Sequence, residues 1–268
     1  MENLSYEMIQ NMSEKECEKL FFTLRWPNGF VCPRCGHTHA KKITSRKLWR
    51  CTNCQTQVSL KSGTILHGSH LSIKQWLLAV ALLTDDTGIS AQNLKKHFKV
   101  AYETAWLLLH KIRQALYFQE ATKDNHTLLI VTIYFLPGIQ KKQKKEHGPY
   151  PVIETTPSGT PFPVKLTLVP SHKERNLGLS QKSAYLQKKK VVFNLPDWGH
   201  ILMKKAKTIL ATTYHYGCRK HIQRYLDEIA YRWNRTKEKR VTAAFTALVE
   251  CGKRTYREFV AEPMVRVV

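Results

Sequence analysis

Two Cys-x-x-Cys pairs constrain this chain more than any other feature. Cys32-Pro-Arg-Cys35 and Cys51-Thr-Asn-Cys54 stand 15 residues apart. Each pair turns two thiolates toward one point, and four thiolates make the tetrahedral shell of a closed Zn²⁺ site. The interval between the pairs suits one hairpin. Residues 26–68 are therefore expected to form a zinc ribbon whose folding free energy comes largely from the metal. Cys32, Cys35, Cys51 and Cys54 are its expected ligands, with His37 and His39 close enough in sequence to compete. Four sulfur ligands leave no open position, so this zinc is structural rather than catalytic. Cys17, Cys218 and Cys251 are scattered and read as plain thiols.

The charge balance points to a polyanion. Lys and Arg number 43 against 20 Asp and Glu, a formal net charge of +23 over 268 residues. Such a surface attracts nucleic acid, an anionic membrane or an acidic protein, and nucleic acid is the commonest of these. No run of about 18 apolar residues occurs, so no membrane span is expected. The acidic start, MENLSYEMIQ, lacks the basic and apolar blocks of a signal peptide. The expected location is therefore cytoplasmic, associated with the nucleoid. The length suits two or three small units.

Local patterns divide the chain further. Residues 1–25 read as an N-terminal helix over 5–25, with Ser13 and Glu16 spaced as a capping box. Residues 69–120 read as an apolar helix, a break at TGIS, a short amphipathic helix AQNLKKHF, a tight connection, and a longer helix TAWLLLHKIRQALYF. Short helix, brief turn and longer helix make the helix-turn-helix pattern. In that motif the N-terminal residues of the second helix meet base edges while flanking cations meet phosphates. Tyr102, Glu103 and Thr104 then lie nearest the bases, with Tyr102 and Thr104 the expected contacts there and Lys95, Lys96, Lys99, Lys111 and Arg113 toward the backbone. Residues 121–268 begin with a β-rich stretch, a hairpin around Pro157-Ser158-Gly159, and then helices. Within them, residues 181–240 carry 15 Lys and Arg against 4 Asp and Glu. The expected class is α+β and multidomain.

Several phrases resemble the zinc-ribbon insertion-sequence transposases. Ser62-Gly63-Thr64-Ile65-Leu66 resembles the family's "TGT-I-(F/L)", Leu71-Ser72-Ile73 with Trp76 its "LPL–W", and Glu103-Thr104-Ala105-Trp106 the close of its helix-turn-helix. TYHYGCRKHIQRYLDEIAYRWNR, residues 213–235, resembles the family's closing segment. The resemblance implies an RNase-H-like domain between these ends. Two Asp and an Asn or Glu there hold two Mg²⁺ ions for phosphoryl transfer on DNA. It also implies double-stranded DNA as partner and a homo-oligomer if the chain works as the family does.

The resemblance breaks where that chemistry belongs. Aligning Tyr134 puts Val131 at the first Asp position and Thr132 at the neighbouring Glu position. No phrase like the second Asp motif occurs between Ser171 and Pro196. Counting back from Thr213-Tyr214-His215 puts Asp197 at the Asn position and Lys207 at the family's helix Lys. The expectation is a truncated RNase-H-like domain and a catalytically defective DNA-binding protein, with Mg²⁺ relevant only if activity survives. Two rival readings stay open: an active transposase with a rearranged metal site using Asp197, and a zinc-ribbon adaptor for RNA or protein.

Overall fold

A computed structural model describes residues 4–121, 128–130, 150–155, 164–169, 190–192, 197–215 and 221–261. They form two compact units. Unit 1 is Met1–Asp85, Ala91–Gln119 and Lys237–Val260; unit 2 is Asp86–Ser90, Glu120–Thr236 and Ala261–Val268. The segment Lys237–Val260, which the sequence groups with the region after residue 121, thus belongs to the N-terminal unit.

Unit 1 opens with two helices where one was expected. Helix α1 is Tyr6–Asn11 and α2 is Glu14–Arg25. Met12 and Ser13 between them are both extended, and Ser13 serves as the N-cap of α2. The capping box itself is present: Ser13 Oγ accepts from Glu16 N, and Glu16 accepts from Ser13 N at 2.6 Å. A residue that caps one helix cannot also continue another, which breaks the single helix at this point.

The ribbon follows as a three-stranded antiparallel sheet, β1 Ala40–Ile43, β2 Leu48–Cys51 and β3 Gln57–Ser59. A 3-10 turn over Thr44–Arg46 joins the first two, and Lys47 closes it in the left-handed region at φ 52°. Residues 60–70 form successive tight turns. Thr64 N donates to Lys61 O, His67 N to Thr64 O and Ser69 N to Leu66 O. Thr64, Ile65 and Leu66 are buried by this path.

Helices α3 Ile73–Thr84, α4 Ala91–Phe98 and α5 Tyr102–Ala121 come in the order expected of the helical segment, with α5 running past the expected Thr104–Phe118 at both ends. Ser72 and Gln75 make a second capping box at the start of α3. Lys99, at φ 53°, ends α4. Helix α3 packs against α2 and against α8, Lys237–Glu250. Phe21, Trp76 and Phe245 are among the large side chains fully buried in this unit.

Unit 2 contains a four-stranded sheet among the described residues. Its strands are β4 Leu128–Ile130, β5 Tyr150–Thr155, β6 Val164–Val169 and β7 Lys190–Val192. The order is β6-β5-β4-β7. β4, β5 and β6 pair antiparallel, and β7 lies parallel to β4 with Ile130 opposite Val192. Helix α6 is Asp197–Thr212 and α7 is Ile222–Trp233. Leu202, Met203, Ala206 and Leu210 of α6 share a core with Leu226 and Ile229 of α7 and with Leu166 of β6.

The outer edge of β6 is closed by side chains of α7 and its C-cap. Asn234 Oδ1 accepts from Val164 N at 2.7 Å, and Asn234 Nδ2 donates to Val164 O at 2.8 Å. Gln223 Nε2 donates to Leu166 O at 2.7 Å. These amides take the place of a further strand and leave fewer open groups on an aggregation-prone edge.

Candidate metal centre and nucleic-acid surface

The four expected zinc ligands converge. The Sγ atoms of Cys32, Cys35, Cys51 and Cys54 all lie within 4.8 Å of one another. Cys32 and Cys54 are 3.6 Å apart, as are Cys35 and Cys51. Those separations are far beyond a disulfide, for which about 2.05 Å is required. They are close to the ~3.8 Å edge of a tetrahedron with Zn–S bonds of about 2.3 Å. The donor set and the spacing therefore both fit structural Zn²⁺.

The two knuckles repeat one backbone turn. Gly36 N donates to Cys32 O at 2.9 Å, and Gln55 N donates to Cys51 O at 3.1 Å. The residue after each second cysteine is left-handed, Gly36 at φ 72° and Gln55 at φ 59°. Thr56 Oγ1 lies 3.2 Å from Cys54 Sγ. The Thr56 hydroxyl, followed by the Thr56 amide, holds the Cys54 thiol down to about 6. Cys35 moves the other way: the His37 backbone hydrogen bond lowers it, but the neighbouring Cys54, Cys51 and Cys32 thiols and burial outweigh that and push it up to about 11. His37 and His39 lie outside the cluster; His37 Nε2 instead meets Thr52 Oγ1 at 3.0 Å.

Helix α2 is built into the ribbon. Trp26 contacts Phe22, Phe30 and Trp49 at ring-centroid distances of 5.0, 5.0 and 5.8 Å. Arg25 donates to the carbonyls of Ser59 and Leu60 at 2.7 Å each, and also to that of Ser62. Burial lowers the Arg25 guanidinium to about 10. Arg25 thus pins the Ser62-Gly63-Thr64 turn, a role that its sequence position at the end of an amphipathic helix does not signal.

Residues 12–57 match the family model of the transposase zinc-ribbon domain. This chain carries a transposase zinc ribbon. The matched span begins at Met12, just before α2, and takes in the whole of that helix, in keeping with the way it docks on the sheet. A protein described as uncharacterized in transposable element ISH50 of Halobacterium salinarum (strain ATCC 700922 / JCM 11081 / NRC-1) is 25% identical over 108 residues. The alignment covers 39% of this chain and 36% of that protein, so the chain spans about a third of the relative's length. No solved structure matches.

Beside the transposase ribbon in unit 1, five of the seven expected DNA-contact residues are exposed. Lys95, Lys96 and Lys99 lie on or just after α4, and Tyr102 and Thr104 lie in the first turn of α5. The other two are corrected by the structure. Lys111 is 7% exposed and Arg113 is 2% exposed. Lys111 Nζ donates to His67 O at 3.1 Å, and burial lowers its pKa. Helix α5 is buried at every position from Leu108 to Arg113, so cations there serve the interior and not a phosphate.

Asp197 and Lys207 both lie on α6, Asp197 exposed in its first turn and Lys207 half-buried. Ten residues along a helix is about 15 Å, so the two do not meet at one point. Val131 and Thr132 lie outside the described residues. Among those described, the cysteines form the single cluster of three or more metal-ligating side chains. No described helix is long and apolar enough to cross a membrane.

One buried polar group in unit 2 was not foreseen. Glu228 is fully buried, accepts from the Tyr214 hydroxyl, and pairs with Arg232 Nη2 at 2.9 Å. Gly88, at φ +65°, lies directly against all three side chains. In sequence, Asp227 and Glu228 read as solvated or salt-bridged helix acids, and nothing local marks Gly88 as their neighbour.

Proposed function

We propose that this chain is a transposase-family protein that binds duplex DNA and does not itself cut or join it. The exposure pattern of α5 carries the binding half of this reading. Its first turn, Tyr102 to Thr104, is exposed, whereas the helix is buried at every position from Leu108 to Arg113. Lys95, Lys96 and Lys99 flank that turn. A recognition helix works in this way: it offers its N-terminal end to a groove, with cations placed for phosphates beside it.

The catalytic half rests on the strands and the sequence together. A sheet ordered third-second-first-fourth, with the first and fourth strands parallel, supports a shortened RNase-H-like domain. The resemblance assigns the first metal-binding Asp to the β4 strand phrase and the second beyond the β5–β6 hairpin. No Asp or Glu occurs in residues 126–145 or 175–196. Asp197 alone cannot hold two hard cations that each need several oxygen ligands.

Fluorescence anisotropy with labelled duplex DNA over a salt series tests the binding half. The reading predicts binding that weakens steeply with salt, prefers duplex to single strands, and drops on Lys95→Gln with Lys96→Gln. Tight binding to single-stranded RNA with no duplex preference would instead favour the adaptor reading.

A further inference from the structure

We propose that the zinc ribbon has a phosphate-gripping face of its own, centred on Lys41 and Arg50, that holds the duplex backbone separately from the helix-turn-helix. The proposal rests on the reading that the chain binds duplex DNA, and adds a second surface to it.

Strand register makes the case. Lys41 of β1 stands directly opposite Arg50 of β2, and Arg50 stands opposite Gln57 of β3. All three residues are exposed. Side chains alternate across a sheet, so this row lies on the face opposite Trp49, Cys51 and Val58. That second face is the one on which Trp49 meets Phe22 and Trp26. The Lys41–Arg50 row therefore belongs to the face that α2 leaves open.

Like charges directly opposite on paired strands repel and weaken the pairing. Nothing nearby relieves this pair. The sequence has no Asp or Glu between Glu18 and Asp85. Other ribbon cations are engaged: Lys47 is 2.7 Å from Glu18, and Lys42 lies over the Trp49 ring. No ion pair or hydrogen bond engages the Lys41 or Arg50 side chain among the described residues. Arg46, exposed in the turn joining these strands, adds a third cation. A small domain that keeps an unrelieved like-charge pair on its open face gives up some stability, which is characteristic of a binding surface. A phosphate chain relieves that repulsion on contact and releases counterions as it does so.

A rival role for these cations is to offset the charge of the zinc–thiolate site. Arg50 neighbours Cys51 in sequence but lies on the other face of β2, which argues against it.

The test uses the full zinc-loaded chain, a labelled duplex and a NaCl series, with zinc content and melting temperature measured on every variant. Lys41→Gln with Arg50→Gln is expected to reduce the slope of log K against log salt by about 1–2, as for the loss of two phosphate contacts. Zinc content should stay unchanged. Lys41→Glu, which sets an acid opposite Arg50, should weaken DNA binding while raising the melting temperature or leaving it unchanged. An unaltered slope in the double variant, with wild-type protein binding normally, overturns the ribbon proposal and leaves the helix-turn-helix reading intact. Loss of zinc in the double variant overturns it in favour of the metal-balancing role. No duplex binding by the wild-type chain sinks the underlying reading itself.

Discussion

The Glu14 carboxylate caps a helix that begins 59 residues further along the chain: its Oε1 accepts from Ile73 N at 2.8 Å. Its other oxygen accepts from Lys74 N at 3.3 Å, and Lys74 Nζ returns to the carbonyls of Gln10 and Met12 at 2.8 and 2.6 Å. A negative charge at a helix N-terminus satisfies unpaired amides and the helix dipole together. This clasp joins α1, α2 and α3 into one body. Glu14→Ala is expected to lower stability by about 1–2 kcal/mol, and Glu14→Gln, which keeps an acceptor, by less. Thermal denaturation of the two variants side by side checks the order.

Removing zinc should unfold the ribbon but spare unit 2. Trp26 and Trp49 report on the ribbon through their shared aromatic cluster. Chelation, or Cys51→Ser, should shift their fluorescence toward that of exposed indole, and the wild-type chain should hold one zinc. An unchanged spectrum after complete zinc loss would show that the sheet stands without its metal.

The second knuckle holds a non-glycine residue where the first has glycine. Gln55 stands at φ 59° beside the exposed Gln55 Nε2 to Thr52 O hydrogen bond. Left-handed backbone costs a non-glycine residue about 1 kcal/mol. Gln55→Gly should therefore stabilise the zinc form by roughly 0.5–1 kcal/mol, and Gly36→Ala should destabilise it by a similar amount. Melting temperatures of the zinc-loaded variants test both signs.

Gly88 admits no side chain. A Cβ there would lie 2.5 Å from Arg232 Nη1, 2.5 Å from the Tyr214 hydroxyl and 3.0 Å from Glu228 Oε1. Those groups are locked in a buried ion pair, so they have little room to yield. Gly88→Ala is expected to cost on the order of 2–3 kcal/mol from strain and disturbed pairing, read as lost cooperativity or a lower melting temperature. A neutral result would mean that this segment moves away from the cluster at little cost.

Lys111 provides a control for the proposed DNA surface. Its ammonium is buried, and its pKa is lowered by that burial. Between the lowered folded pKa and the unfolded value the unfolded chain binds more protons, so this residue makes stability rise with pH across that window. Lys111→Met removes the desolvation along with one hydrogen bond. It should leave DNA affinity and salt slope unchanged, in contrast to Lys95→Gln with Lys96→Gln.

Much of unit 1 was legible in the sequence because its signals are local. Cysteine spacing located the metal site, Ser13 with Glu16 located a helix start, and the breaks at Gly88 and Lys99 separated α3, α4 and α5. What was not legible depends on partners distant in the chain. The charge of Lys111 and Arg113 suggested solvent, but their helix is surrounded along that stretch. Asn234 and Gln223 look like ordinary surface amides until β6 is placed beside them. Nothing in the composition of α8 specifies that it packs against α2 and α3 rather than in the unit that precedes it in sequence.

Under the proposed function this chain holds duplex DNA without breaking it. The purified protein is incubated with duplex DNA, insertion-element ends among it, and Mg²⁺ or Mn²⁺, and mobility shift and strand nicking are followed on the same samples. A salt-sensitive shifted complex and no nicked or joined strands are expected with either metal. Metal-dependent nicking that disappears on Asp197→Ala would contradict it and make Asp197 part of a working catalytic site.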